Sequence, residues 1–328
     1  MYSYTWLQWI FFFYLYCFLG WVWESCYVSA KKKHWVNRGF LHLPLLPIYG
    51  SGAIVVLFVS LPIRDNPVLV YLAGAAAATI LEMVVGLVME QLFKVKYWDY
   101  SNQKFNYKGV ICLSSTLFWG VLSVFLTEVA QKPIERAVLS LSAPVLSGIV
   151  AVISAAFIYD TIISVKAALD LAKVLTSIEK AKEAMAEELR NMEEKAAAFM
   201  DEARENLEVR VDDARESLAL RREQSMENRE EFKKDLAARV DDARENLTLR
   251  REQSREEREV RKDAARQYME DYQRRKEEFV AAQQERLDAL MEKAYQVSKG
   301  AAKRNPGMSS RRFGESIQRL RDRSLRKK

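Results

Sequence analysis

The first 165 residues alternate between long apolar stretches and short polar ones, and the remaining 163 contain no long apolar stretch. Five apolar segments stand out, at 6–29, 44–63, 67–93, 109–130 and 143–165. Each approaches the roughly 20 residues that a helix needs to cross the hydrocarbon of a bilayer. The pattern therefore predicts an all-α membrane helix bundle of about five spans over residues 1–165. Beyond it the pattern inverts. No Gly or Pro occurs between Gly148 and Gly300, and Ala, Leu, Glu, Lys, Arg and Gln dominate from Lys166 onward. These are strong helix formers, so residues 166–300 read as a long charged helix or coiled coil continuing from the last span. Unbroken, residues 166–299 would extend about 200 Å.

Two internal repeats sharpen this picture. The stretch at 210–216 recurs at 239–245, and a shorter version lies at 201–205. Offsets of 29 and 11 residues favour a nearly straight helix over a left-handed heptad coil. A thin apolar stripe runs through Met192, Phe199, Ala203, Leu207, Val211, Ala214 and Leu218, then Phe232, Leu236, Val240, Ala243 and Leu247. Pairs such as Arg204/Glu208, Glu230/Lys234 and Glu257/Arg261 add about 0.2–0.5 kcal/mol each. A lone charge-stabilised helix and a coiled coil of several copies compete, and the stripe favours self-association through residues 166–300. In the membrane half, Asn37-Arg38-Gly39 follows the first segment with Gly50 eleven residues past Gly39. Asn106-Tyr107-Lys108-Gly109 follows the third with Gly120 eleven residues past Gly109. This spacing suggests two helical hairpins related as a parallel repeat.

Charge adds an orientation. The whole chain carries 50 Lys/Arg and 44 Asp/Glu, net +6, which conceals its asymmetry. Residues 1–165 hold 11 basic and 8 acidic residues, leaving 39 and 36 for the rest. The loops after segments one and three carry Lys31, Lys32, Lys33 and Arg38, and Lys94, Lys96, Lys104 and Lys108; the others carry Arg64, and Lys132 with Arg136. Basic loops stay inside, so the N-terminus is expected outside and the C-terminal half in the cytoplasm, in a multi-pass protein of the plasma membrane. Residues 301–328 carry 10 basic and 2 acidic residues and begin with a helix-breaking Asn305-Pro306-Gly307. They read as a basic disordered tail, a solubilising end or a partner for anionic lipid, nucleic acid or acidic protein.

Ionisable groups at membrane depth are costly and face a cavity or a partner. Glu24 and Glu82 are the main candidates, either as a proton- or cation-handling pair or as structural hydrogen-bonding groups, with Arg38 as an ion-pair partner. Glu90 and Asp160 read as solvated helix ends. The stretch 97–109, with Trp98, Asp99, Tyr100 and Asn106, is too polar to face lipid and suits an interfacial or re-entrant loop. Asp99 and Ser101 are potential helix caps. Pro44, Pro47 and Gly50 should distort the start of segment two. Candidate substrate-path residues are Glu24, Asn37, Arg38, Tyr49, Glu82, Trp98, Asp99, Tyr100 and Asn106, with Gly39, Pro47, Gly50, Gly109 and Gly120 as structural positions. Cys17, Cys26 and Cys112 form no C-x-x-C pair, and His34 and His42 are the only histidines, so no metal site or cofactor is expected.

The ordered set Gly20-Trp21-Val22-Trp23-Glu24, Asn37-Arg38-Gly39-Phe40-Leu41, Pro47-Ile48-Tyr49-Gly50-Ser51-Gly52, Trp98-Asp99-Tyr100-Ser101 and Gly109-Val110-Ile111-Cys112-Leu113 with Trp119-Gly120 resembles the CmpB-like ABC-transporter permease family of bacterial membrane proteins. The resemblance spans residues 5–165 and implies a permease component. Since the chain has no G-x-x-x-x-G-K-[ST] loop, any ATPase would be a separate subunit. Two other function classes compete: an anchor or scaffold presenting the long helix to a cytoplasmic partner, and an intramembrane lipid-acting enzyme. The enzyme reading has no G-x-S-x-G, H-E-x-x-H or G-x-G-x-x-G motif behind it.

Overall fold

Two of the membrane helices begin where the sequence supplies a cap. Thr5 and Gln8 form a reciprocal capping box at the start of α1 (Trp6–Lys32). The Asn66 side chain accepts from the first free N–H groups of α3 (Pro67–Phe93), and Pro67 opens that helix with no donor to waste. Both helices stop on a lysine in the left-handed region, Lys33 and Lys94. The computed structural model describes residues 4–227 and 236–326. Its remaining helices are α2 (Pro47–Ser60), α4 (Leu113–Phe125), α5 (Gln131–Leu139), α6 (Ala143–Glu227), α7 (Leu236–Arg304) and α8 (Gly314–Arg326). A small antiparallel ribbon pairs β1 (Asn106–Tyr107) with β2 (Ile111–Cys112). The protein is an all-α membrane bundle joined to a long helix.

Four helical stretches are long and apolar enough to cross a membrane: Trp6–Lys32, Pro67–Phe93, Leu113–Leu139 and Ala143–Glu205. A fifth apolar helix, Pro47–Ile63, is shorter. The second apolar segment yields only α2 and a 3₁₀ turn, Leu61–Ile63. The reason lies in the loop before it. The N–H groups of Val36 and Arg38 donate to Ser29 and Ser25 of α1, and that of Leu46 donates to the Cys17 carbonyl, 3.0 Å. The chain has thus run back to the middle of α1 before Pro47 lets a helix start. The span Leu113–Leu139, in contrast, runs past its apolar segment, through a π-helical turn at Leu126–Ala130 and into α5.

The two hairpins, α1–α2 and α3–α4, share their contacts. A Cβ at Gly50 would overlap Cys17 and Phe13 of α1, and one at Gly120 would overlap Tyr71 of α3. Gly39 and Gly109 both take positive φ in the connecting loops, where glycine avoids the Cβ penalty. Phe13 and Tyr71, like Glu24 and Glu82, are 58 residues apart. Gly39 and Gly109, like Gly50 and Gly120, are 70 apart. Twelve extra residues in the second loop account for the difference. Close approach at small residues is what holds membrane helices together where the hydrophobic effect gives nothing.

The chain divides into two compact units, one of Met1–Glu179 with Asp288–Lys328, the other of Lys180–Leu287. Within the second, Glu193 pairs with Lys276 at 2.7 Å and Phe199 stacks on Tyr268 at 3.8 Å between centroids. The two pairings run in opposite order along the chain, so α6 and α7 lie antiparallel there. A single unbroken helix over 166–299 is therefore not what forms. At Phe199 the apolar stripe meets its own chain. Of the expected pairs and stripe residues, Glu230, Phe232 and Lys234 lie outside the described residues, as do the side chains of Leu207, Glu208, Val211, Ala214, Leu218, Leu236, Val240, Ala243 and Leu247.

The disordered tail is also corrected. α7 continues to Arg304, Met308 and Phe313 are buried, and α8 buries Ile317 and Leu320. Arg323 pairs with Glu292 of α7 and lies over the Tyr295 ring at 4.4 Å. Net charge had masked an amphipathic helix whose apolar residues recur at three- and four-residue spacing.

Replacing Gly50 with Ala should force α1 and α2 apart and lower stability by about 1–3 kcal/mol. A Cβ at Gly148 meets nothing within 4 Å, so Gly148→Ala should be neutral or stabilise by up to about 1 kcal/mol. Thermal unfolding midpoints of the two variants in one detergent check both signs.

Candidate functional site

The start of α2 and the last turns of α1 bring Tyr49 to Glu24. The Tyr49 hydroxyl donates to Glu24 at 2.7 Å, and Arg38 Nε donates to the other carboxylate oxygen at 3.3 Å. A Cβ at Gly20 would overlap the Tyr49 side chain, so glycine there is what lets the ring lie flat on α1. The remaining Arg38 nitrogens donate to Asn305 Oδ1 (2.8 Å) and to the Tyr97 carbonyl (3.2 Å). One guanidinium thereby ties together α1, both hairpin loops and the C-terminal segment, using the donor fork that lysine lacks.

Glu82 sits in the matching place of the second hairpin and is 4% exposed. It accepts from Trp119 Nε1 (3.0 Å), the Tyr100 hydroxyl (3.1 Å) and the Ser115 hydroxyl (3.4 Å). Three donors converge on it because α4 supplies two and the loop after α3 supplies the third. The two carboxylate clusters meet where the Tyr49 and Trp119 rings pack edge to face, 6.0 Å apart.

Beside this contact lies a cavity of about 480 Å³ whose walls come from α1–α4 and the π-helical turn. Tyr16, Gly20, Tyr49, Ala78, Glu82 and Trp119 are among its lining, and most of the rest is aliphatic or phenylalanine. Several wall residues, including Trp23, Phe118, Val121 and Phe125, are exposed. Chemically the space suits apolar matter, with hydrogen-bonding groups confined to one wall. Among the described residues no group of three His, Cys, Asp or Glu side chains is placed to hold a metal ion.

Of the sequence-derived candidates, Tyr49 and Glu82 line the cavity. Glu24 and Arg38 stand behind Tyr49, and Tyr100 stands behind Glu82. Asn37 accepts from Trp21 Nε1 at 2.6 Å and donates to the His42 carbonyl, so it shapes the first loop. Trp98 donates to the Val110 carbonyl and lies where a Cβ on Gly86 would approach it. Asn106 donates to the Ser101 and Gln103 carbonyls and accepts from Gly109 N–H, so it builds the turn. Asp99 accepts from the backbone and hydroxyl of Ser101 and from Ser309 at 2.7 Å. Burial opposes its charge, but these bonds and the Lys96 ammonium prevail and hold its carboxyl below the usual carboxylate range.

Three participants were missed. Asn305 was read only as a helix breaker. Trp119 was quoted in a motif without a role, although an indole N–H inside hydrocarbon demands an acceptor. Asp160, taken for a solvated helix end, is instead buried. It accepts from the backbone of His42 and Leu43 and from His42 Nδ1, all at 2.8 Å, fastening α6 to the first loop. Its position inside an apolar segment was the available signal.

The hairpins, their loops and the first turns of α6 are also what known proteins share with this chain. Residues 11–165 match the family model described as "Putative ABC-transporter type IV". The family match covers the bundle and ends close to where the charged sequence begins. No curated protein and no solved structure matches the chain.

Trp119→Phe removes one donor from the buried Glu82 and should cost about 1–3 kcal/mol. Combined with Glu82→Gln, the loss should be smaller than the sum, with a coupling above about 0.5 kcal/mol in a double-mutant cycle of thermal unfolding. The depressed Asp99 carboxyl makes a second prediction. Its contribution is complete above the unfolded carboxylate value of about 3.9 and is lost only as pH falls through the lower folded value. Solvent protection of residues 305–313, measured by hydrogen exchange with the intrinsic pH effect removed, should stay constant from neutral pH down to about 4.5.

Proposed function

We propose that the bundle is the membrane-embedded component of a transporter and that the cavity between the two hairpins takes an apolar or single-chain amphiphilic substrate from the bilayer. The observation that carries this reading is the cavity itself: some 480 Å³ of mostly aliphatic wall, bordered by Tyr49 and Glu82. Several of its wall residues are exposed, so a substrate dissolved in the membrane has a short way in. The match of residues 11–165 to a family named for transport supports the same reading. Glu82, already holding three donors, positions the helices and gives the head of a substrate an electronegative neighbour. Energy would come from a separate ATPase subunit. On this proposal the protein sits in a bacterial plasma membrane with basic loops and helical arm in the cytoplasm. A second reading, a scaffold that displays the arm to a partner, draws on the antiparallel pairing of α6 and α7 outside the bundle unit.

A Cβ at Gly52, which lines the cavity, meets only Leu81 at 3.9 Å, so a larger side chain enters the space without striking backbone. Gly52→Phe should leave the unfolding midpoint nearly unchanged while cutting photolabelling of the purified protein by a long-chain diazirine amphiphile at least tenfold. Equal labelling of wild type and variant would remove the cavity as the binding place. If the bundle is only an anchor, exchanging residues 1–165 for an unrelated multi-span bundle of the same topology should preserve the cellular phenotype.

A further inference from the structure

We infer that the segment 305–313 is a latch that holds the two hairpin loops together beside the cavity, and that its release loosens both cavity-bordering carboxylate clusters. The inference rests on reading the cavity as the working site, but it concerns access and not the identity of a substrate.

The segment spans both loops with paired polar contacts. On the first loop, Asn305 accepts from Arg38 and its amide donates back to the Gly39 carbonyl at 2.9 Å. On the second, Lys96 and Ser309 exchange both backbone hydrogen bonds, 2.8 and 3.0 Å, as an isolated antiparallel bridge. The Ser309 hydroxyl donates to Asp99, and the Ser310 hydroxyl to the Lys94 carbonyl, each at 2.7 Å. Asn305 is 2% exposed and Met308 1%, so the segment is seated and not merely adjacent.

From these anchors two short routes lead to the cavity. Asn305 holds Arg38, Arg38 holds Glu24, and Glu24 accepts from Tyr49 in the wall. Ser309 holds Asp99, whose chain neighbour Tyr100 donates to Glu82, also in the wall. Arg38 has only 13% of its side chain exposed, so withdrawing Asn305 strands a guanidinium N–H where water reaches it poorly. The guanidinium must then reorient, and Glu24 goes with it. α7 ends at Arg304 and passes directly into the latch, so a displacement of its last turns is carried to Asn305. That gives a partner of the helical arm a mechanical route to the membrane site, using two discrete arrangements of one segment.

The test uses the full chain in lipid nanodiscs. Asn305→Ala should speed hydrogen exchange of residues 36–42 and 94–101 at least tenfold and raise maleimide labelling of a cysteine placed at Ala53, a cavity-lining position. Bridge partners that exchange both bonds lie about 5.5 Å apart between Cα atoms, within disulfide range. A Lys96→Cys/Ser309→Cys pair, with Cys26→Ser and the same Ala53→Cys reporter, should therefore show the opposite effect. Oxidised, it should protect both loops and slow labelling; reduced, it should label faster. The redox pair also keeps the test decisive if Asn305→Ala does not fold. The inference is overturned if labelling at position 53 is the same in the oxidised and reduced pair, or if Asn305→Ala frees 305–313 without changing either loop. Loss of substrate labelling in Gly52→Phe bears on the cavity alone and leaves these outcomes readable.

Discussion

Two carboxylates inside a helix bundle dominate this structure. A carboxyl group removed from water must find its hydrogen bonds within the protein. Glu24 is met by Tyr49 and Arg38, and Glu82 by Trp119, Tyr100 and Ser115. Each set draws on the helix that follows its carboxylate and on the loop between. Satisfying the two side chains therefore fixes how each hairpin closes. It also explains why the loops after α1 and α3 fold inward. The Tyr100 hydroxyl and the Arg38 guanidinium have to be carried to the carboxylates on backbone, and that backbone in turn needs partners such as Ser25, Ser29 and the Cys17 carbonyl.

The inward loops have consequences for the rest of the bundle. The first consumes length that the second apolar segment would otherwise spend as helix, which is why α2 is short. It also exposes backbone N–H groups at His42 and Leu43, which Asp160 of α6 collects. The second presents the free backbone edge of Lys96, which Ser309 completes. The C-terminal segment is thus the last member of a set of polar contacts that begins with Glu24 and Glu82. Between the hairpins the same arrangement leaves an apolar space, because the polar groups are consumed on one wall and aliphatic side chains line the others.

Much of this was legible in sequence, and the physical reason is locality. Apolar run length reports helices in hydrocarbon. The eleven-residue spacing from Gly39 to Gly50 and from Gly109 to Gly120 reports a repeated turn-and-contact pattern that the structure realises in both hairpins. An acid in an apolar stretch signals that a partner must exist, as Glu24, Glu82 and Asp160 all show. None of these signals names the partner. Trp119 and Glu82 are 37 residues apart, and Arg38 and Asn305 are 267 apart; nothing in local periodicity links them.

By itself, then, the sequence determined that this is an all-helical membrane bundle with a charged helical extension, that its hairpins repeat, and that buried acids need satisfying. Those follow from transfer free energy and backbone hydrogen bonding, which act residue by residue. Tertiary structure alone decided that the charged helix folds back on its own chain, that a basic tail becomes a seated segment, and that one apolar stretch yields a short helix. Each of these depends on which distant groups meet, and average charge or hydropathy over a window carries no information about that.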